Sequence, residues 1–136
     1  MKLAPNALCA CHSGVKYKRC CRPFHRGRTI ERPEVLVRAR YAAFAYGLPA
    51  FVMETTDPTG PSTEPDAASW ERSILEFARQ TEFTGLDIDE VTEADGEGSV
   101  TFRATLRQGG RDVSFTEQSR FVREGGRWLY HSGEVS

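Results

Sequence analysis

Four cysteines, Cys9, Cys11, Cys20 and Cys21, fall within thirteen residues, and the rest of the 136-residue chain has none. Thiolate sulfur is a soft ligand, and four thiolates converging on one ion form the closed tetrahedral shell of a structural zinc site. The eight-residue stretch between Cys11 and Cys20 can return the chain to the ion. Disulfides are the competing chemistry, but the neighbours Cys20 and Cys21 cannot easily both pair in so short a loop. The start MKLAPNALCACHSG also lacks the apolar middle of an export signal, so no oxidising compartment is implied. Zn2+ is the expected cofactor, with His12 and His25 open as substitutes for one sulfur. Ser13 and Gly14 supply a turn whose backbone amides can face negative sulfur. A four-sulfur shell leaves no position for activated water, so this metal organises rather than catalyses.

A second constellation lies near the C-terminus. Val113, Phe115, Glu117, Ser119 and Phe121 share one strand parity, which puts a carboxylate and a hydroxyl on an apolar face. An unpaired charge there costs several kcal/mol, so a donor must meet it. Arg38, Arg40 and Tyr41 of the first long helix are the candidates, with Arg40 and Tyr41 favoured. In a functional reading Arg40, Tyr41, Glu117, Ser119 and Trp128 form the polar part of a small-molecule pocket. In a structural one, Glu117 fastens that helix to the sheet and Trp128 fills the core. Nucleotide-binding glycine motifs, the H-E-x-x-H metalloprotease motif and calcium-loop spacing are absent. His131 reads as a strand-surface residue, and no catalytic residue is assigned.

Charge divides the chain more sharply than its formal net of -1 suggests. Residues 1–40 carry ten Lys or Arg against two acids, and the remainder carries eight against seventeen. A basic head joined to an acidic body favours an anionic partner for the head. Lys16, Tyr17, Lys18, Arg19, Arg22, Arg26 and Arg28 are the candidate surface, for an acidic protein or RNA, with Tyr17 or Phe24 stacking on an unpaired base. Thirteen acids from Glu54 to Glu97 read as a solvated face. No apolar run approaches the roughly 20 residues of a membrane span, and a cytoplasmic location is expected.

The elements that must position these groups are punctuated by proline and glycine. Pro33 opens a helix over about 33–46 that Gly47 and Pro49 stop, and a short second helix runs from Pro49 to Thr55. Thr63 is expected to cap a third, with Pro65 in its first turn and Trp70, Ile74 and Phe77 on one face. Beyond residue 82 the period becomes two. Strands are expected over about 84–91, 99–108, 112–123 and 127–132, with Val100, Phe102, Ala104 and Leu106 facing one way. The pairs Gly109-Gly110 and Gly125-Gly126 suit tight hairpins. Helices followed by an antiparallel meander make an α+β fold.

The run CACHSGVKYKRCC resembles the SEC-C motif, C-x-C-x-S-G-x5-C-[CH], a zinc-binding module whose pattern places ligands at Cys9, Cys11, Cys20 and Cys21. The segments PEVLVRARYAAF, EQSRF and GRWLY resemble the YchJ-type family of uncharacterised proteins. That resemblance implies a SEC-C module over 1–28 and a nuclear transport factor 2-like domain over 29–136, with helices packed on a curved antiparallel sheet. Two positions depart from the family pattern: His12, where glycine is usual, and the T55-T-D57-P58 stretch, where histidine often precedes the proline. The leading expectation is a zinc-ordered adaptor or binding protein, and the alternative is a small-molecule-binding protein or enzyme using a pocket around Glu117.

Overall fold

The computed structural model describes residues 3–136. A single 3-10 turn, Tyr17–Arg19, and a one-turn helix α1, Arg22–His25, make up the head. Helices α2 (Pro33–Tyr46), α3 (Pro49–Glu54) and α4 (Ala67–Gln80) follow. Strands β1 (Glu82–Ala94), β2 (Glu97–Gln108), β3 (Arg111–Asp112), β4 (Phe115–Glu124) and β5 (Arg127–Val135) complete an α+β fold. All strand pairs are antiparallel, in the order β1-β2-β4-β5, with the short β3 on β2. Register shifts interrupt β1 against β2 and β4 against β5, and such bulges bend a sheet. The curved sheet receives the helices on one face.

Helix α2 has proline in its first turn and ends at Gly47, whose φ of 68° lies in the left-handed region that glycine enters without a steric penalty. It buries residues around most of its circumference, among them Leu36, Val37, Ala39, Tyr41, Ala43 and Tyr46. A helix apolar on nearly every side is a central one. The sheet covers one side of α2 and the cysteine-bearing head covers another, so Cys9, Cys11, Tyr17 and Cys21 belong to the same core as Val100 and Phe121.

Strands β1 and β5 run longer than expected, and two further boundaries differ for local reasons. Helix α4 starts at Ala67, not near Thr63, because Asp66 is its cap: Asp66 Oδ1 accepts from the amides of Ala68 at 3.1 Å and Ser69 at 3.4 Å. Thr63 instead donates its hydroxyl to the Asp57 carbonyl at 2.7 Å. The strand expected over 112–123 breaks at Val113-Ser114. There Asp112 Oδ1 accepts from the Ser114 amide at 2.9 Å, and Ser114 Oγ takes the Leu106 amide at 2.9 Å, so side chains replace part of the ladder. The inward set of β2 is as expected, with Val100, Ala104 and Leu106 buried and Arg103 and Arg107 exposed on the other side.

Candidate functional site

The four cysteines are free, and their sulfurs all lie within 4.8 Å of one another. A tetrahedral shell with metal–sulfur bonds of about 2.3 Å separates its sulfurs by about 3.8 Å. Cys11 and Cys20 are 3.5 Å apart and Cys20 and Cys21 4.0 Å, so the chain has brought the ligands to the span one metal ion requires. Local bonds build this geometry: the Cys9 amide donates to the Val15 carbonyl at 2.8 Å, and the Ser13 hydroxyl lies 3.1 Å from Cys20 Sγ. Without a cation the sulfurs must share protons. Hydrogen bonds from Cys20, Cys21 and Cys9 draw the Cys11 thiol down, while hydrogen bonding to Cys11 pushes Cys9 and Cys21 up. Four sulfurs this close together are able to hold one metal ion in place of those protons.

Neither histidine is in this cluster. His12 holds φ at 63° and sets Nε2 2.9 Å from the Phe83 carbonyl, outside the sulfur group. Glycine would enter that backbone conformation without the steric penalty a side chain incurs. His25 is clamped between the Tyr17 hydroxyl, 2.7 Å from Nδ1, and the Ala39 carbonyl, 2.8 Å from Nε2. A carbonyl only accepts, so Nε2 carries the proton and Nδ1 accepts from Tyr17. Tyr17, expected on the partner surface, is therefore corrected to a core residue: it is 4% exposed and its ring lies 4.6 Å from that of Tyr46. Lys16, Lys18, Arg19, Arg26 and Arg28 are exposed and Arg22 is partly so, and none forms an ion pair among the described residues.

Further bonds dock the head onto the body. The Ala10 amide donates to the Tyr46 hydroxyl at 3.0 Å, and Arg38 Nη1 donates to the Cys11 carbonyl at 3.1 Å. Arg38 thus faces the cysteine cluster rather than Glu117.

Between the helices and the concave face of the sheet lies a cavity of about 420 Å³. Its walls are largely aromatic, including Phe44, Trp70, Phe77, Phe83, Phe102 and Phe115. Arg40, Tyr41, Glu117 and Ser119 line it as well, together with Thr56, Ser62 and Tyr130, which were not anticipated. The expected Arg40–Glu117 contact is replaced by an arrangement through Tyr130. The guanidinium carbon of Arg40 stacks 4.5 Å from the centre of the Tyr130 ring, and the Tyr130 hydroxyl donates to Glu117 Oε2 at 3.0 Å. Ser119 donates to the same oxygen. Arg40 Nη1 turns toward α3, reaching the Val52 carbonyl at 3.0 Å and the hydroxyls of Thr55 and Thr56 at 2.9 and 3.0 Å.

Burial draws the Arg40 guanidinium down to about 10, with Tyr130 and Glu117 opposing the fall, so it remains protonated at neutral pH. Burial, then the neighbouring Glu117, pushes the Tyr130 hydroxyl up to about 12, which keeps it a donor. Tyr41 lines the wall while its hydroxyl accepts from the Gly85 amide at 3.2 Å, beside a register shift of β1. Trp128 takes the structural of its two expected roles and fills the core, away from the cavity. It is 3% exposed, and its indole donates to the Glu31 carbonyl at 3.1 Å beside Pro33 and Gly98. Tyr130 belongs to the GRWLY run, but strand parity alone could not show that its hydroxyl reaches across β4 to Glu117.

Similarity to known proteins follows this division. Residues 6–23 match the SEC-C motif, and residues 32–133 match the family described as YchJ, middle NTF2-like domain. The solution structure of a SEC-C motif containing protein from Rhodopseudomonas palustris is 33% identical, with a TM-score of 0.79, covering 94% of this chain and 98% of that one. A SEC-C motif containing protein from Psychrobacter arcticus is 24% identical, with a TM-score of 0.73 over 91% of this chain and 75% of that one. TsrD from Streptomyces laurentii shares the fold, at 20% identity and a TM-score of 0.57 over 76% of this chain and 87% of that one. With its cysteine cluster preceding a curved sheet and covering helices, the chain belongs to the YchJ family through its middle NTF2-like domain and carries a SEC-C motif ahead of it.

Proposed function

We propose that this is a small-molecule-binding protein whose zinc-ordered head braces the helix that forms one wall of the binding cavity. The observation that carries the reading is the cavity itself: about 420 Å³, aromatic along its walls and polar at one end. That volume falls within the roughly 300–1,000 Å³ typical of ligand pockets, as does an apolar lining with a few placed polar groups. Zinc is the ion that best fits four protein sulfurs at these spacings, and a shell closed by protein ligands gives it a structural task. The test uses the neutral dye N-phenyl-1-naphthylamine, whose fluorescence rises in apolar surroundings. Saturable binding at one site per chain is expected, abolished by Ala104→Trp, which fills the cavity, while circular dichroism stays unchanged. Absence of saturable binding to the wild-type protein overturns the reading.

The basic head supports a second reading, as an adaptor for an acidic protein or RNA. Its observation is the run of exposed cations Lys16, Lys18, Arg19, Arg26 and Arg28, with no carboxylate paired to them among the described residues. Burial of Tyr17 removes one proposed base-stacking platform and weakens the RNA version. Neutralising Lys16, Lys18, Arg19 and Arg22 together is expected to reduce both binding to an acidic partner and its salt dependence. Unaltered binding would discard this surface.

A further inference from the structure

The polar end of the cavity presents one cation and one carboxylate that do not pair directly. Arg40 uses Nη1 for three bonds to α3 and its exit, and Glu117 uses Oε2 for two hydroxyls. Arg40 Nε and Nη2 and Glu117 Oε1 hold no hydrogen bond among the described residues. They are not sealed orphans either, since the buried side-chain atom left without a partner is Glu34 Oε1. Both residues line the cavity. A free donor on a cation and a free acceptor on a carboxylate therefore border the same space, separated by the Tyr130 side chain that each of them touches.

We propose, on the basis of the small-molecule reading above, that the cavity selects an uncharged ligand with a flat apolar body ending in a group that is both acceptor and donor, as a primary carboxamide is. Its carbonyl takes a hydrogen bond from Arg40, its N–H donates to Glu117 Oε1, and its body lies among Phe77, Phe83, Phe102 and Phe115. Charge decides against the ionic relatives. A ligand carboxylate attracted to Arg40 also meets Glu117, and a ligand ammonium attracted to Glu117 also meets Arg40. In a cavity that is largely apolar these opposed interactions are poorly screened. A neutral group lets the two protein charges balance each other and satisfies the open hydrogen-bonding atom on each.

The experiment compares 2-naphthamide, 2-naphthoate and 2-naphthylmethylammonium as displacers of bound N-phenyl-1-naphthylamine from the full chain at neutral pH. The amide is expected to displace the dye at least tenfold more strongly than either ion. Glu117→Gln removes the negative charge with little change of shape, and naphthoate is then expected to gain tenfold or more and become the strongest of the three. A wild-type protein that prefers naphthoate or the ammonium overturns the inference without reference to any variant. An order left unaltered by Glu117→Gln also overturns it. Dye that binds but is displaced in the wrong order leaves the cavity reading standing and removes only the ligand class; dye that never binds removes both.

Discussion

At the scale of single residues, the two histidines of the head show how a position that could ligate a metal can be taken by a backbone carbonyl. His12 gains a hydrogen bond to the Phe83 carbonyl but occupies a left-handed conformation. Such a conformation costs a non-glycine residue about 1–2 kcal/mol, close to the roughly 0.5–1.5 kcal/mol that a hydrogen bond contributes. His12→Gly loses the bond and the strain together, whereas His12→Ala loses the bond and keeps the strain. Denaturant melts should therefore rank alanine below glycine by about 1 kcal/mol. His25 is expected to leave a pH signature. Burial holds its imidazole below the ordinary 6.5, with the bond to the Ala39 carbonyl opposing. The folded state thus prefers the neutral ring and the unfolded chain binds more protons, so its stabilising contribution is intact above 6.5 and fades as the pH falls below it. Thermal melts from about pH 7 to about pH 5 should decline, and His25→Gln should flatten part of that slope. Parallel slopes for the two proteins would remove the assignment. Gly133 is a third sensitive position, because a Cβ there would run into the Glu117 carboxyl group and the Tyr130 hydroxyl. Gly133→Ala should lower stability by about 1–3 kcal/mol and weaken dye binding, since two polar groups at the end of the cavity must move.

Among the elements, α4 depends on its first turn. Asp66→Ala removes the side chain that accepts from the Ala68 and Ser69 amides and should destabilise the protein by about 1 kcal/mol in a urea melt. The sequence showed α2 clearly because Pro33 and Gly47 bound it, and β2 because Val100, Ala104 and Leu106 alternate with outward-facing polar residues. Turns were equally visible: Gly109-Gly110 and Gly125-Gly126 both adopt positive φ. The cap of α4 was harder to read, since Thr63, Pro65 and Asp66 each fit a helix start and only the chain direction after Pro65 decides among them. The bond from Tyr130 to Glu117 was out of reach of strand parity, because it depends on the bulge between β4 and β5 and on a side-chain rotamer. Tyr17 lies in a basic run and so reads as exposed, but its burial is set by Tyr46, twenty-nine residues away. Local pattern carried the strands and most helix ends, and long-range packing decided who meets whom.

At the scale of the whole molecule, the head and the body share one core rather than standing as separate units. Arg38 and Arg40 sit two residues apart on α2; the first bonds the Cys11 carbonyl and the second lines the cavity. Removing the metal should therefore do more than loosen the head. Treatment of the reduced protein with a chelator is expected to lower the melting temperature of the entire fold, reported by Trp70 and Trp128 as well as by the cysteine region. A body transition that stays in place after complete metal loss would show that the shared core contributes little. Metal analysis should find one zinc per chain, and Cys9→Ser or Cys20→Ser should release it. The longest strand, β1, carries a different consequence. Among the described residues it pairs only with β2; His12 meets its Phe83 carbonyl and Tyr41 its Gly85 amide, and beyond Gly85 its outer backbone groups stay open along the margin of the sheet. Asp87, Asp89, Glu90 and Glu93 are exposed along it, so two copies approaching margin to margin bring like charges together. Converting Asp89, Glu90 and Glu93 to their amides should permit ribbon-like self-association, visible as rising light scattering from a protein that is otherwise still folded.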